Sequence, residues 1–143
     1  MRYWLIALPR EDIEHCIKIG TFGLCRKYVL GNVQPGDKLG CYVTKESKII
    51  ALGEATSNHY LDDQPVFLRE GFFPDRINFQ ACKLSKSAEI DFKSIIEEMK
   101  FIKNLAYWSV YFSKGIVEIN ASDWKVISHY LATKSGSAET CDT

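Results

Sequence analysis

Three stretches of this 143-residue chain set an aromatic ring beside cations. Phe22, between Thr21 and Gly23, comes just before Arg26 and Lys27. Phe72, Phe73 and Pro74 lie between Arg69 and Arg76. Trp108 and Ser109 follow Lys100, Lys103 and Asn104. In non-helical segments such rings can stack on the π face of a base, an amide or backbone group can read its edge, and cations can hold the flanking phosphates. The same rings could instead fill the core of a small domain, and composition alone favours that outcome.

Other chemistry has little to work with. His15, His59 and His129 fall in unrelated contexts, and the signatures of phosphate-binding loops, hydrolase elbows, zinc proteases and dinucleotide folds are absent. Cys25 with His59 as nucleophile and base, or Asp62 with Asp63 as a metal pair, are combinations that scattered residues produce in most chains. The five cysteines (Cys16, Cys25, Cys41, Cys82 and Cys141) form no CxxC and no Cys/His zinc spacing. We therefore expect no disulfide, no metal and no cofactor, and read the cysteines as thiols of a reducing cytoplasm. The apolar opening run, Tyr3–Leu8, is too short to span a bilayer and lacks a cleavage site, and no later run is long enough. No membrane partner is expected.

Eighteen Lys and Arg balance eighteen Asp and Glu, which argues against a sequence-blind binder gripping many phosphates. A local basic patch remains open. Hydrophobic residues at 46% and charged residues at 25% match a globular chain, and the length suits one domain. Aromatics, at 13%, are generous for that size.

The elements that must position these residues are mostly short strands. Tyr3–Leu8 reads as a buried strand, and Arg10–Ile19 as a helix with Glu11, Asp12 and Glu14 at its positive end and Gly20 to close it. The spacing predicts a loop over 21–27, a Pro35-Gly36 turn, and strands at 39–44 and 49–55, with Gly53 at a bulge or a close backbone approach. A long loop covers 58–74, and alternation marks a half-buried strand at 77–84. Asp91 is expected to cap a short helix through Met99, strands follow at 107–112 and 116–119, and Ser122 or Asn120 caps a last helix carrying Trp124, Ile127 and Leu131. Residues 1–133 form the expected domain, and 134–143 a disordered tail. About six strands without βαβ alternation point to a mixed, mostly antiparallel small barrel of the α+β class with peripheral short helices.

Whole segments add a resemblance. Tyr3-Trp4-Leu5-Ile6 before a short acidic helix, Val33-Gln34-Pro35-Gly36-Asp37-Lys38-Leu39 leading into Tyr42, Gly53–Ser57 with Tyr60 and Asp62 behind, and Phe101-Ile102-Lys103-Asn104 with Trp108-Ser109 together resemble the EVE-domain family, within the PUA-like superfamily and related to the YTH readers of methylated adenine. The resemblance runs from about residue 2 to residue 131. It implies a PUA-like pseudo-barrel that binds nucleic acid, RNA or DNA, with a pocket for a modified base and no catalysis. On that basis Phe22-Gly23 stands where relatives carry an aromatic cage wall, usually Trp, and Phe73 falls near a second wall. Asn104, Trp108 and Ser109 close the pocket, and Tyr42 and Thr44 line its floor. Arg26, Lys27, Arg76 and Lys103 contact phosphate. A separate effector enzyme is the implied partner, and the chain itself is expected to be a monomer. The alternative is a pocket for a free nucleoside or another small planar ligand, with a regulatory role.

Overall fold

The computed structural model describes residues 1–24, 30–62, 75–84, 88–99, 112 and 115–135, the side chains of 131–135 excepted. Its first strand, β1 (Tyr3–Leu8), is buried from Trp4 onward because neighbours cover both edges and both faces. It pairs in parallel with β3 (Lys38–Val43) and antiparallel with β8 (Ile116–Ile119). A strand enclosed in this way reads as a continuous apolar run rather than an alternating one. Beyond β3 come β4 (Lys48–Ala55) and β6 (Asp75–Lys83), and β2 (Thr21–Leu24) follows β6, giving the order β2–β6–β4–β3–β1–β8. Two short strands, β5 (Tyr60–Leu61) and β7 (Ile90–Asp91), pair with β6 and β4. The eight strands among the described residues make one curled, mostly antiparallel sheet of the expected α+β kind.

Alternation along β1 feeds two cores. Trp4, Ile6 and Leu8 join Ile13 and Cys16 of α1 (Arg10–Ile19), Phe22 and Leu24 on one side. Leu5 and Ala7 join Tyr42, Phe92, Ile95 and Ile127 on the other, where α2 (Ala121–Ser135) packs. Helix α1 has the expected bounds: Glu11 and Asp12 sit in its first turn, and Gly20, in the left-handed region at φ 74°, donates its N–H to the Cys16 carbonyl at 2.8 Å. At α2, Asn120 rather than Ser122 is the cap, its Oδ1 accepting the Asp123 N–H at 2.8 Å. The helix runs two residues past the expected domain end at 133.

Several expectations need correction. Residues 21–24 are a strand, because pairing with β6 supplies partners that a four-residue segment interrupted by Gly23 cannot signal locally. Gly53 does mark the close approach that was one of its two expected roles, since a Cβ there would lie 2.6 Å from the Ala81 Cα, while the register shift falls at Cys41/Tyr42. The segment after Asp91 forms two 3-10 turns, Phe92–Ser94 and Ile96–Glu98, in place of one helix. Ile95, at φ −119° and ψ 2°, interrupts them, so the buried Phe92, Ile95 and Met99 reach the core without an α-helical turn. Residues 107–111 and the tail from 136 lie outside the described residues. Cys82 is disulfide-bonded, with its partner outside the described residues, against the expectation of none.

Asp37 ties the two parallel strands together where they begin. Its Oδ1 accepts the Arg2 N–H at 3.0 Å, and its Oδ2 accepts the Trp4 indole N–H and the Gln34 N–H, both at 3.0 Å. The residue is 3% exposed. Burial alone would raise its pKa, but the Arg2, Gln34 and Trp4 donors and the N-terminal amine hold it below the ordinary carboxylate value. A carboxylate with a depressed folded pKa contributes stability above its unfolded pKa, and that contribution is lost as pH falls through the folded value. Wild-type stability, measured by denaturant titration, should therefore decline as pH falls below about 4. Asp37→Asn should cost about 2–4 kcal/mol at neutral pH by turning an amide toward donors, and should flatten that decline.

Cys16 and Cys41 are buried free thiols. Burial, reinforced by Asp12, pushes Cys16 up to about 12, and burial also raises Cys41. Thiolate, the reactive form, is thus scarce at both. Alkylation of native protein should leave these two unlabelled until denaturant is added. Protein purified without reductant should gain two hydrogens on reduction, from the Cys82 bond, as read by intact mass.

Candidate nucleic-acid interface

The described residues divide the sequence-predicted site. Phe22 is 0% exposed and belongs to the core on the α1 side of the sheet. Tyr42 belongs to the core on the α2 side, where its ring stacks on Phe112 at 4.0 Å between centroids and 4° between planes, with Phe92 edge-on at 5.4 Å. Burial raises the Tyr42 pKa, against a lowering hydrogen bond to Ser47. Two rings on opposite faces of one sheet cannot wall one pocket, and neither offers a free face to a base. Both are corrected to core residues. Thr44, half-buried in the turn just after β3, donates its N–H to the Leu8 carbonyl at 3.0 Å, and β3 lies two strands from β6.

Gly23 and Arg76 do meet, directly opposite each other in the β2–β6 register. Arg76 is not placed to wait for phosphate, however. Its side chain is 6% exposed, and its guanidinium faces the Asp62 carboxylate at 3.5 Å. Arg26, Lys27, Phe73, Lys103, Asn104, Trp108 and Ser109 lie outside the described residues.

Around Arg76 the structure gathers polar groups that the sequence reading passed over. At its first two residues β6 is the middle strand of three, with Leu24 and Gly23 of β2 on one side and Leu61 and Tyr60 of β5 on the other. Asp75, fully buried, accepts the Leu30 N–H at 2.8 Å and faces His59 Nε2. Tyr60 donates its hydroxyl to Asn78 Oδ1 at 2.7 Å, Thr21 donates to the same oxygen at 3.2 Å, and the Asn78 N–H donates to Ser57 Oγ at 2.9 Å. Buried polar groups are held in networks of this kind because an unpaired one is costly. No sequence periodicity announces it, since His59 and Asp75 meet only through the register of a two-residue strand. Leu24, Leu30, Asp62 and Asp75 all take part in this ledge, and they flank residues 25–29 and 63–74, which lie outside the described residues.

Further along β6, Lys38, Leu52, Glu54, Gln80, Cys82 and Trp124 line a cavity of about 280 Å³. It contains none of the residues predicted for the base pocket. Among the described residues no cluster of three or more His, Cys, Asp or Glu is arranged to hold a metal ion, and no helix is long and apolar enough to cross a membrane.

Residues 2–130 match the EVE domain family model. The chain belongs to the EVE domain family. A UPF0310 protein of Pyrococcus horikoshii is 34% identical over 92% of this chain and 99% of its own length, and one of Pyrococcus abyssi is 30% identical over 92% and 100%. Among solved structures, a Rhodopseudomonas palustris protein superimposes with a TM-score of 0.63 at 15% identity, covering 93% of this EVE domain and 94% of that chain. The Mmi1 YTH domain, solved in complex with RNA, superimposes with a TM-score of 0.62 at 10% identity, covering 92% and 78%. EVE and YTH domains therefore share this fold.

The buried position of Phe22 makes its substitution a test of folding. Phe22→Ala should cost about 3–5 kcal/mol of stability in a denaturant melt, the range for emptying a buried Phe site. Any ligand binding it loses should be restored in proportion when osmolyte restores the folded fraction.

Proposed function

We propose that this EVE domain is a non-enzymatic nucleic-acid-binding module that captures a modified or flipped-out base in an aromatic pocket. The observation that supports the reading is the polar ledge at the start of β6, whose residues Leu24, Leu30, Asp62 and Asp75 flank residues 25–29 and 63–74 in the chain. Those segments bear Arg26, Lys27 and Phe73. The fold shared with a YTH domain solved in complex with RNA supports RNA as the ligand.

In this reading the pocket is built by Phe73 and Trp108 as stacking rings, Asn104 as the amide that reads the base edge, and Ser109 and the backbone at Gly23 beside them. Arg26, Lys27 and Lys103 hold phosphates. The core rings Phe22 and Tyr42 support the sheet instead of touching the ligand, and Arg76 serves the ledge through Asp62. A separate effector enzyme acts on what the module marks, and the module works as a monomer.

Single-stranded RNA oligonucleotides that differ in one modified base, titrated across salt, test this. Affinity should favour one modified form and fall steeply between roughly 50 and 200 mM salt. Trp108→Ala should cost about 1–3 kcal/mol of binding with an unchanged melting temperature. Asn104→Ala should shrink the discrimination between modified and plain base. Lys27→Ala and Lys103→Ala should each flatten the salt slope by about one unit. Salt-independent binding of a free nucleoside, with no affinity for RNA, would overturn the proposal in favour of a small-molecule pocket.

A further inference from the structure

The cavity beside α2 serves none of the roles described so far. Its volume of about 280 Å³ lies just below the range of about 300–1,000 Å³ typical of drug-sized ligands, so it suits a smaller molecule. Strand register explains its lining. Lys38 on β3 stands opposite Glu54 on β4, and Glu54 stands opposite Gln80 on β6, which sets three polar side chains in a row across three strands. Two residues along each strand, on the same face, Gly40, Leu52 and Cys82 form a second row. Gly40 carries no side chain, and a Cβ there would lie 3.7 Å from the Trp124 ring, so the indole comes down onto this row from α2. The cavity therefore has an apolar floor at Leu52, an aromatic wall at Trp124 and a polar rim at Lys38, Glu54 and Gln80. On that rim a donor-only group sits beside an acceptor-only one. Lys38 Nζ is 3.6 Å from Glu54 Oε1, too far for a hydrogen bond, and the two side chains are 37% and 50% exposed. An ion pair of that kind contributes little, so both groups can turn to a ligand at small cost.

We propose that this cavity is a guanine-binding site, separate from the pocket proposed above and independent of it. Around the edge of guanine come the acceptor O6, the donors N1–H and N2–H, and the acceptor N3. The row Lys38, Glu54, Gln80 answers them in the same order: the ammonium donates to O6, the carboxylate accepts from both N–H groups, and the amide donates to N3. A carboxylate engaged by two parallel N–H donors makes the strong, directional kind of hydrogen bond. Adenine, cytosine and uracil each bring a single donor group to that edge, so none engages both oxygens. Leu52 and Trp124 take the faces of the ring, as stacking platforms do. A free nucleotide and a guanosine within a single strand present the same edge, and the experiment separates these two sources.

The test is calorimetric titration of the full chain, purified without reductant, with the monophosphates of guanosine, inosine and adenosine, whose common phosphate cancels in the comparison. Guanosine monophosphate should bind about tenfold more tightly than inosine monophosphate, which lacks the N2 amino donor, and than adenosine monophosphate. Glu54→Gln should abolish that preference at an unchanged melting temperature, because the side chain is half-exposed. Nuclear magnetic resonance signals of Leu52, Glu54, Gln80 and the Trp124 indole should shift on binding, and those of Asp75–Asn78 should not. A single-stranded RNA with one guanosine, compared with the same strand carrying inosine, identifies the source. Discrimination kept in the strand assigns the guanine to RNA, and discrimination confined to the monophosphates assigns it to a free nucleotide. The proposal is overturned by equal affinity for guanine and its analogues in both arms, by no binding in either, by a preference that survives Glu54→Gln, or by shifts confined to the ledge. Failure of the modified-base pocket leaves these readings intact, since none of them depends on Asn104 or Trp108.

Discussion

The parallel pairing of β1 with β3 depends on the Asp37 carboxylate. Parallel neighbours cannot be joined by a tight hairpin, so their relative register must come from elsewhere. Asp37 supplies it by accepting from Arg2 and Trp4 at the start of β1 and from Gln34 in the turn that launches β3. Tyr3 then stands opposite Lys38, and each later pair follows in step. A slip of one residue would exchange the side chains between faces. Trp4 and Ile6 would move to the α2 side, and both cores would be mispacked.

With that register set, one sheet serves two cores, and most of the described aromatics are spent on filling them. Phe22 packs against the α1 layer, while Tyr42, Phe92 and Phe112 form a mutually stacked and edge-on trio beneath α2. Ring clusters of this kind add to area burial through quadrupole geometry. They stiffen the centre of the sheet, which leaves the ends of the strands as the places where segments of variable length can be hung. Charge contributes at one corner: Arg10 donates to Glu46 and to the buried Glu89, joining the start of α1 to the β3–β4 turn and the approach to β7. Those carboxylates raise the Arg10 pKa, Glu46 first.

The start of β6 is the counterpart of Asp37 at the other end of the sheet. There, too, a buried carboxylate accepts from backbone far away in the chain, the Leu30 N–H. Asp62 and Arg76 form a second charge pair beside it.

Local chemistry in the sequence was enough for α1, whose acidic first turn and terminal Gly20 gave its bounds, and for β1, β3 and β4, whose apolar runs end at turns. It was enough, through ordered segments, for the family and the α+β sheet. It could not separate a ring that stacks on a ligand from one that stacks on Phe112, because Tyr42 and Phe22 have the same local character in either role. Nor could it find the strand at Thr21–Leu24 or the union of His59 with Asp75. Both exist only through pairing with β6, more than ten residues away in the chain, and such pairing is decided by register and burial that no local pattern encodes. Tertiary structure therefore chose which aromatics became core, and which carboxylates became anchors, since only packing determines what is removed from water.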